Sequence, residues 1–309
     1  MKKTIKSIGA ICAMVCLHTI AFAQQDPQYS QYMFNTMAVN PAYTGSRDVV
    51  NVTLLHRKQW NINGSPQSST LAVDLPMLNE KIGVGLLVSN DQIGIISNTG
   101  IYACYAQRIR LSNAGTLSFG ITAGGTQFGA NAADVSTYAP GDKAFATNIN
   151  SFKPNAGIGA YYATDKWYAG ISMPRLANNK LGTAEIAQQA SQFRHYFLMA
   201  GFVKHINSYI VVKPSIMGKA VSGAPLQLDA NLNFWFYDKF SIGASYRTGD
   251  AVLAMVELIP AQRWRLGYAY DFTLSGLQNA NGKTQGSNEI MLRYEFATQS
   301  SKILSPRYF

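Results

Sequence analysis

The sequence has few charged residues and no long apolar run beyond its start, and both absences narrow the class of protein. Asp, Glu, Lys and Arg make up 14% of the 309 residues, against roughly 25% in soluble domains. After residue 23 the chain has no apolar run of about 18 residues, the length that a transmembrane helix requires. A chain with 17 Tyr, 15 Phe and 26 Gly but little charge is typical of a β-barrel in an outer membrane.

Cysteine is almost absent, which excludes a disulfide framework. Cys12 and Cys16 lie near the start of the chain, so Cys104 is the one cysteine left beyond it. His195 and His205 are ten residues apart on one expected strand, or about 33 Å in an extended chain, so they cannot share a metal ion there. No nucleophile with a base at a suitable spacing stands out either. We therefore predict no metal, no cofactor and no enzymatic activity.

The first 23 residues have the organisation of a secretory signal peptide. Three lysines within the first six residues precede the apolar stretch 8–20, and Ala21-Phe22-Ala23 is a small-residue cleavage motif. We predict cleavage between Ala23 and Gln24. Loss of the three lysines leaves 23 basic and 16 acidic residues. This modest excess contains no polybasic run and does not indicate nucleic-acid binding.

Several later segments alternate between apolar and polar residues, which is the period of a β-strand with two different faces. In 263–274, RWRLGYAYDFTL, every even position is apolar or aromatic, and the odd positions are small, polar or charged. A similar alternation runs through 226–237 and 289–296. If the apolar face meets lipid, the charged face lines the lumen, where the charges either favour anionic solutes or pair with one another. The candidate lumen charges are Arg263, Arg265, Arg293, Asp271 and Lys213.

Fourteen such segments can be counted between residues 49 and 296, most of them about 10–14 residues long. About 9–11 residues suffice for a tilted strand to cross a bilayer. The connections after even-numbered segments are tight, whereas the long ones all follow odd-numbered segments. Short turns on one side and long loops on the other are the pattern of outer-membrane barrels. We therefore predict an all-β transmembrane barrel of about 14 antiparallel strands over residues 48–296, with a periplasmic tail at 297–309.

Residues 24–47, before the first strand, have helical rather than strand spacing. About 14 strands enclose a lumen wider than an eight-stranded barrel, whose own side chains fill it. We therefore predict that this segment forms a short helix on the periplasmic side that plugs the opening. A loose linker and a contact with a periplasmic partner are the alternatives. The candidate contact residues are Tyr29, Tyr32, Met33, Met37, Asn40 and Pro41.

Nine short blocks are spread along most of the chain: QDPQYSQY (25–32), NPAY (40–43), HRKQW (56–60), SNDQIG (89–94), SMPRL (172–176), DKF (238–240), GASYR (243–247), GYAYDFTLS (267–275) and SPR (305–307). In this order the blocks resemble the PorP/SprF family of outer-membrane proteins in type IX secretion and gliding motility. The loops 131–151 and 177–190 match no block of that family.

This resemblance implies work with partners rather than chemistry. Members of the family support the export or surface attachment of type IX cargo, and many are thought to serve one large adhesin. The implied partners are therefore the outer-membrane lipid, the secretion machinery on the periplasmic side and an adhesin-like cargo at the surface. A passive channel or small-solute transporter is the alternative function that the expected barrel width and lumen charge leave open.

Overall fold

The computed structural model describes residues 29–60, 62–111, 115–131, 148–180, 191–274 and 286–296. The predicted signal peptide with its cleavage site at Ala23 and Gln24 lies outside these residues, and so does the predicted tail 297–309. Within the described ranges the helical structure consists of two 3₁₀ turns, Thr36–Ala38 and Pro41–Tyr43. A search of the same ranges finds no helix that is both long and apolar enough to cross a membrane.

Fourteen antiparallel strands form one closed barrel, as predicted. Each pairs with its neighbours in the chain, and Val50 at the start of the first strand pairs with Phe296 at the end of the last. The strands are β1 Val50–Lys58, β2 Gln67–Met77, β3 Ile82–Ile93, β4 Ile96–Arg110, β5 Thr116–Ala130, β6 Ile149–Ala163, β7 Trp167–Met173, β8 His195–Phe202, β9 Ile210–Val221, β10 Gln227–Phe236, β11 Phe240–Arg247, β12 Ala251–Ala261, β13 Trp264–Thr273 and β14 Ser287–Phe296.

Two strands are shortened or interrupted for local reasons. β7 ends at Met173 because Pro174 has no N–H to continue the ladder. β8 is interrupted at Val203, after which Lys204–His205 resumes the pairing with β9. Two-residue strands at Asn179–Lys180 and Ser191–Gln192 pair with each other between β7 and β8.

Side chains alternate between the two faces of the wall along most strands. In β10 the odd-numbered residues Asp229, Asn231 and Asn233 are buried, whereas Leu228 and Leu232 are exposed on the outside. The outer surface is therefore apolar and the inner one polar, which is the arrangement that a barrel in lipid requires.

The two ends of the barrel differ in the length of their connections. One end, which we call the short-turn end, carries connections of two to five residues, such as Gln262–Arg263 between β12 and β13, together with the start of β1 and the end of β14. The opposite, long-loop end carries the connections 131–148, 174–194 and 274–286. In outer-membrane barrels the short turns are periplasmic and the long loops extracellular.

We predict that an arginine at the middle of the outer face destabilises the barrel more than one near its rim. Ile216 lies in the middle of β9 and Leu226 lies just before β10, and both side chains point outward with 59% and 63% of their surface exposed. Ile216→Arg should cost about 2–4 kcal/mol, and Leu226→Arg about 0–1 kcal/mol, because the cost depends on depth in the bilayer. Urea unfolding in phospholipid vesicles measures both, and equal losses would contradict this placement of the outer face.

Candidate functional site

Residues 29–49, here called the inner segment, lie inside the barrel. Almost all of their side chains are buried. The first residues bond to β14, the middle bonds to β6 and β7, and the end bonds to β2. Since these strands stand on different sides of the wall, the inner segment crosses the lumen.

The predicted short helix on the periplasmic side does not form, and the segment starts near the long-loop end, where Ser30 meets Glu289. Residues 30–35 make successive turns, and the two 3₁₀ turns follow. The main-chain N–H groups of Ser30 and Gln31 are bound by the carboxylate of Glu289. Because the wall satisfies the main chain in this way, the segment follows the shape of the lumen. Tyr32 accordingly contacts β10, whereas Met37 approaches Gly85 on β3.

Three charged side chains near the long-loop end, Arg57, Asp271 and Glu289, hold the start of the inner segment, and we call them the backbone clamp. The two oxygens of Glu289 accept the N–H groups of Ser30 at 2.7 Å and of Gln31 at 2.6 Å. The Ser30 hydroxyl donates to Asp271 at 2.7 Å and accepts from Arg57 at 2.5 Å. Arg57 also pairs with Asp271 at 2.7 Å.

The clamp is buried together with its neighbours, so the loss of any one contact costs more free energy than it would at the surface. The side chains of Arg57, Asp271 and Glu289 are at most 4% exposed. Arg247 extends the network by pairing with Asp271 at 3.7 Å and Asp229 at 3.1 Å. Buried charges are tolerated only when they are paired and hydrogen-bonded, so the loss of one partner leaves an expensive unpaired charge.

A second charged network lies at the short-turn end, where the inner segment leads into β1. Arg47 of the segment pairs with Glu295 at 2.6 Å, and Arg265 reaches both Glu295 at 3.4 Å and Glu257 at 3.5 Å. The Arg265 guanidinium also lies 5.8 Å from the ring centre of Trp235. These charges join the end of the segment to β12, β13 and β14.

The wall binds the main chain of the inner segment a second time at Gly45. Its N–H donates to Asp74 at 2.9 Å, and its carbonyl accepts from Arg108 at 2.8 Å. Arg108 also pairs with Asp48 at 2.7 Å. The segment is therefore held by charged groups near both of its ends.

Between the two charged networks the inner segment packs through large, apolar side chains. The rings of Tyr43 and Tyr161 meet edge to face with their centres 5.4 Å apart. Met33 and Met37 are buried in the same cluster. The Tyr32 hydroxyl accepts from Asn231 at 2.5 Å.

Glycines in the wall allow the inner segment to approach the strands closely. A Cβ at Gly83 would lie 1.9 Å from the Thr44 carbonyl oxygen, and one at Gly120 would lie 2.2 Å from the Ala42 nitrogen. A Cβ at Gly159 would meet the Asn40 side chain at 2.1 Å. Each distance is shorter than atoms tolerate, so a side chain at any of these positions would displace the segment.

A small cavity of about 60 Å³ remains between the inner segment and the wall. It is large enough for a few water molecules. The wall contributes Thr70, Leu87, Ser89, Tyr102, Cys104, Thr122 and Phe197, the loop after β7 contributes Pro174 and Arg175, and the segment contributes Tyr29, Met37, Ala38, Val39 and Pro41.

The structure places the candidate residues of the sequence analysis as follows. Tyr29 is partly buried, whereas Tyr32, Met33, Met37, Asn40 and Pro41 are buried inside the barrel. Of the candidate lumen charges, Arg265, Arg293, Asp271 and Lys213 are buried on the inner face. Arg263 is not in the lumen: it is exposed in the turn before β13, because that strand begins one residue later, at Trp264.

Several residues that hold the inner segment are absent from the candidates above. Arg57 and Glu289 of the clamp, and Arg47 and Glu295 of the second network, were not singled out. Alternation places Glu289 and Glu295 on the same face as Arg293, and this signal was present in the sequence. The contacts of Glu289 with Arg57 and Ser30 form only when the barrel closes, so no spacing along the chain indicates them.

The comparisons with known proteins give one family and one fold. The family model described as type IX secretion system membrane protein PorP/SprF matches residues 21–294. Among curated proteins, none matches this chain.

Solved structures with a similar fold are outer-membrane barrels. The monoaromatic hydrocarbon channel CymD covers 87% of this chain, with 94% of its own length, 11% identity and a TM-score of 0.51. The toluene transporter TbuX of Ralstonia pickettii covers 86%, with 93% of its own length, 8% identity and a TM-score of 0.49. A FadL homologue of Pseudomonas aeruginosa covers 88%, with 95% of its own length, 12% identity and a TM-score of 0.45. At such identities the likeness to CymD shows the fold alone.

We predict that the clamp is a large single contribution to the stability of the barrel. Glu289→Gln keeps the shape of the side chain but removes the charge that pairs with Arg57 and accepts two main-chain N–H groups. The variant should lose roughly 3 kcal/mol of unfolding free energy, because a broken buried ion pair leaves its partner unpaired. Urea unfolding in vesicles measures the loss.

The matched control for the clamp is Glu80→Gln. Glu80, in the turn between β2 and β3, pairs with the exposed Arg110 at the end of β4, at the short-turn end. Exposed pairs contribute about 0–1 kcal/mol, so this variant should unfold almost as the parent does. A similar effect of the two substitutions would contradict the role of the clamp.

Proposed function

Since the chain belongs to the PorP/SprF family of type IX secretion system membrane proteins, we propose that it supports the export or surface attachment of secreted cargo without itself acting as an enzyme or an open channel. In this proposal the inner segment is a plug that closes the lumen. The cargo, such as a large adhesin of gliding motility, contacts the long-loop end. The periplasmic parts of the secretion machinery contact the short-turn end.

The observation that carries this proposal is the way in which the lumen is occupied. The inner segment is buried, bound at both ends by charged groups and packed against glycines of the wall. A pore for solutes needs a continuous aqueous path, whereas a scaffold for partners needs a rigid barrel with a closed lumen. The occupied lumen supports the second of these roles.

The cargo part of the proposal predicts a defect in surface display. Deletion of the gene should abolish or strongly reduce the display of at least one secreted protein of the type IX system, and complementation with the intact gene should restore it. Surface biotinylation followed by mass spectrometry measures the display of every cargo at once. Unchanged display of all cargo in the deletion strain would overturn this part.

The closed lumen predicts a barrel that carries little current. The purified protein should be nearly silent in planar lipid bilayers, because the inner segment occupies the ion path. Arg57→Ala removes the cation of the clamp and should produce intermittent openings, whereas Arg110→Ala, at the exposed end of β4, should not. A steady open conductance of the unmodified protein would favour the alternative of a passive channel or solute transporter.

A further inference from the structure

Several bonds from the inner wall of the barrel go to main-chain groups of the inner segment. At the long-loop end the Glu289 carboxylate accepts two consecutive N–H groups, those of Ser30 and Gln31. Arg247 donates to the carbonyl of Tyr29 at 3.5 Å. Every residue offers a carbonyl and every residue except proline an N–H, so these contacts depend little on which other side chains the bound segment carries.

The same kind of contact recurs further along the inner segment. The Ser172 hydroxyl donates to the carbonyl of Val39 at 2.7 Å. Asp74 and Arg108 bind the N–H and the carbonyl of Gly45 from two sides. The wall therefore bonds to the main chain of the inner segment at three levels of the lumen. A segment that closed the opening by its bulk alone would not need these bonds.

Large apolar side chains are recognised in the middle of the inner segment, whereas polar side chains such as Ser30 and Arg47 are bound near its ends. Met33, Met37 and Tyr43 are buried in a cluster with Tyr161 and Met199 of the wall. Methionine is flexible and adapts to different partners, so this part of the wall suits a peptide with large, unbranched or aromatic side chains rather than one unique sequence.

We infer that the inner wall of the barrel is a peptide-binding site and that the inner segment is its intramolecular occupant. The site takes a peptide with two consecutive free N–H groups for Glu289 and with large apolar side chains in its centre. This extends the proposed function, in which the segment only closes the lumen. Its test uses purified protein, so its outcome is independent of the cargo assay.

The intramolecular occupant has an advantage over any free peptide. It is joined to β1 at Val50, and a short covalent link of this kind corresponds to an effective concentration in the millimolar range. A free peptide therefore binds well only when the segment itself is loosened while the wall is left intact. Substitutions in the segment, rather than in the wall, meet this condition.

The experiment compares full-length proteins that differ at Gln31. Gln31→Pro removes the N–H that Glu289 accepts, whereas Gln31→Ala keeps it. A fluorescent synthetic peptide with the sequence of residues 29–46 is titrated into each protein in detergent. It should bind the Gln31→Pro barrel at least about tenfold more tightly than the Gln31→Ala barrel. Both variants lose the bond from the Gln31 side chain to the Glu289 carbonyl oxygen, so they differ in the main-chain N–H, and a charge-assisted hydrogen bond is worth about that factor.

Two further arms test which groups recognise the peptide. Glu289→Gln added to Gln31→Pro should weaken peptide binding by about tenfold, because the acceptor of the peptide N–H groups is changed. A peptide with Ser in place of Met33, Met37 and Tyr43 should also bind at least about tenfold more weakly, since it buries less apolar surface. Peptide binding that is indifferent to Glu289→Gln would overturn the inference.

A folded Gln31→Pro barrel that binds no peptide would also overturn the inference, with folding judged by its altered gel mobility after heating. If Gln31→Pro does not fold, Tyr32→Ala serves instead. This variant loosens the segment by removing the hydroxyl contact with Asn231, and it leaves the wall unchanged. The same peptide should then bind it more tightly than it binds the parent, and the absence of such binding has the same meaning as for Gln31→Pro.

Discussion

The pairing of β1 with β14 is the interaction on which the rest of the structure depends. A sheet in lipid cannot leave main-chain groups unpaired at an edge, so the fourteen strands must close on themselves. The ladder from Val50–Phe296 to Lys58–Asn288 provides this closure. It also brings Arg57 of β1 opposite Glu289 of β14, and so it assembles the pair that holds the start of the inner segment.

Closure with fourteen strands creates a second requirement, because the side chains of the wall alone do not fill a lumen of this width. The inner segment occupies this space, and its polar main chain must be satisfied inside a barrel. Charged side chains of the wall do this near both ends of the segment, and tyrosine and methionine side chains pack its middle. The chain belongs to a family of type IX secretion membrane proteins, and it is an outer-membrane barrel whose interior is largely occupied by its own residues.

Much of the barrel could be predicted from the sequence, because alternation is a local signal that each strand carries by itself. The number of strands followed from it, as did the inner face with Arg265, Arg293 and Asp271. Arg263 is also an odd-numbered position but belongs to a turn. Alternation does not indicate where a strand begins. The spacing of Tyr29, Tyr32, Met33 and Met37 fits a helix, yet contacts with distant strands determine the turns that they form. The site itself depends on residues such as Ser30 and Glu289, whose proximity exists only after closure.

The position of the inner segment has a consequence for the order of folding. Ser30 and Glu289 are 259 residues apart in the sequence, so one of the first described residues meets a partner on the last strand of the chain. Contacts of this separation form late and slowly, because a long loop must first be closed. The inner segment directly precedes β1, and a barrel that had already closed would hinder the entry of the segment into the lumen. Seating of the segment and closure of the wall are therefore coupled into one final step of biogenesis, in which the inner segment and β14 fold together.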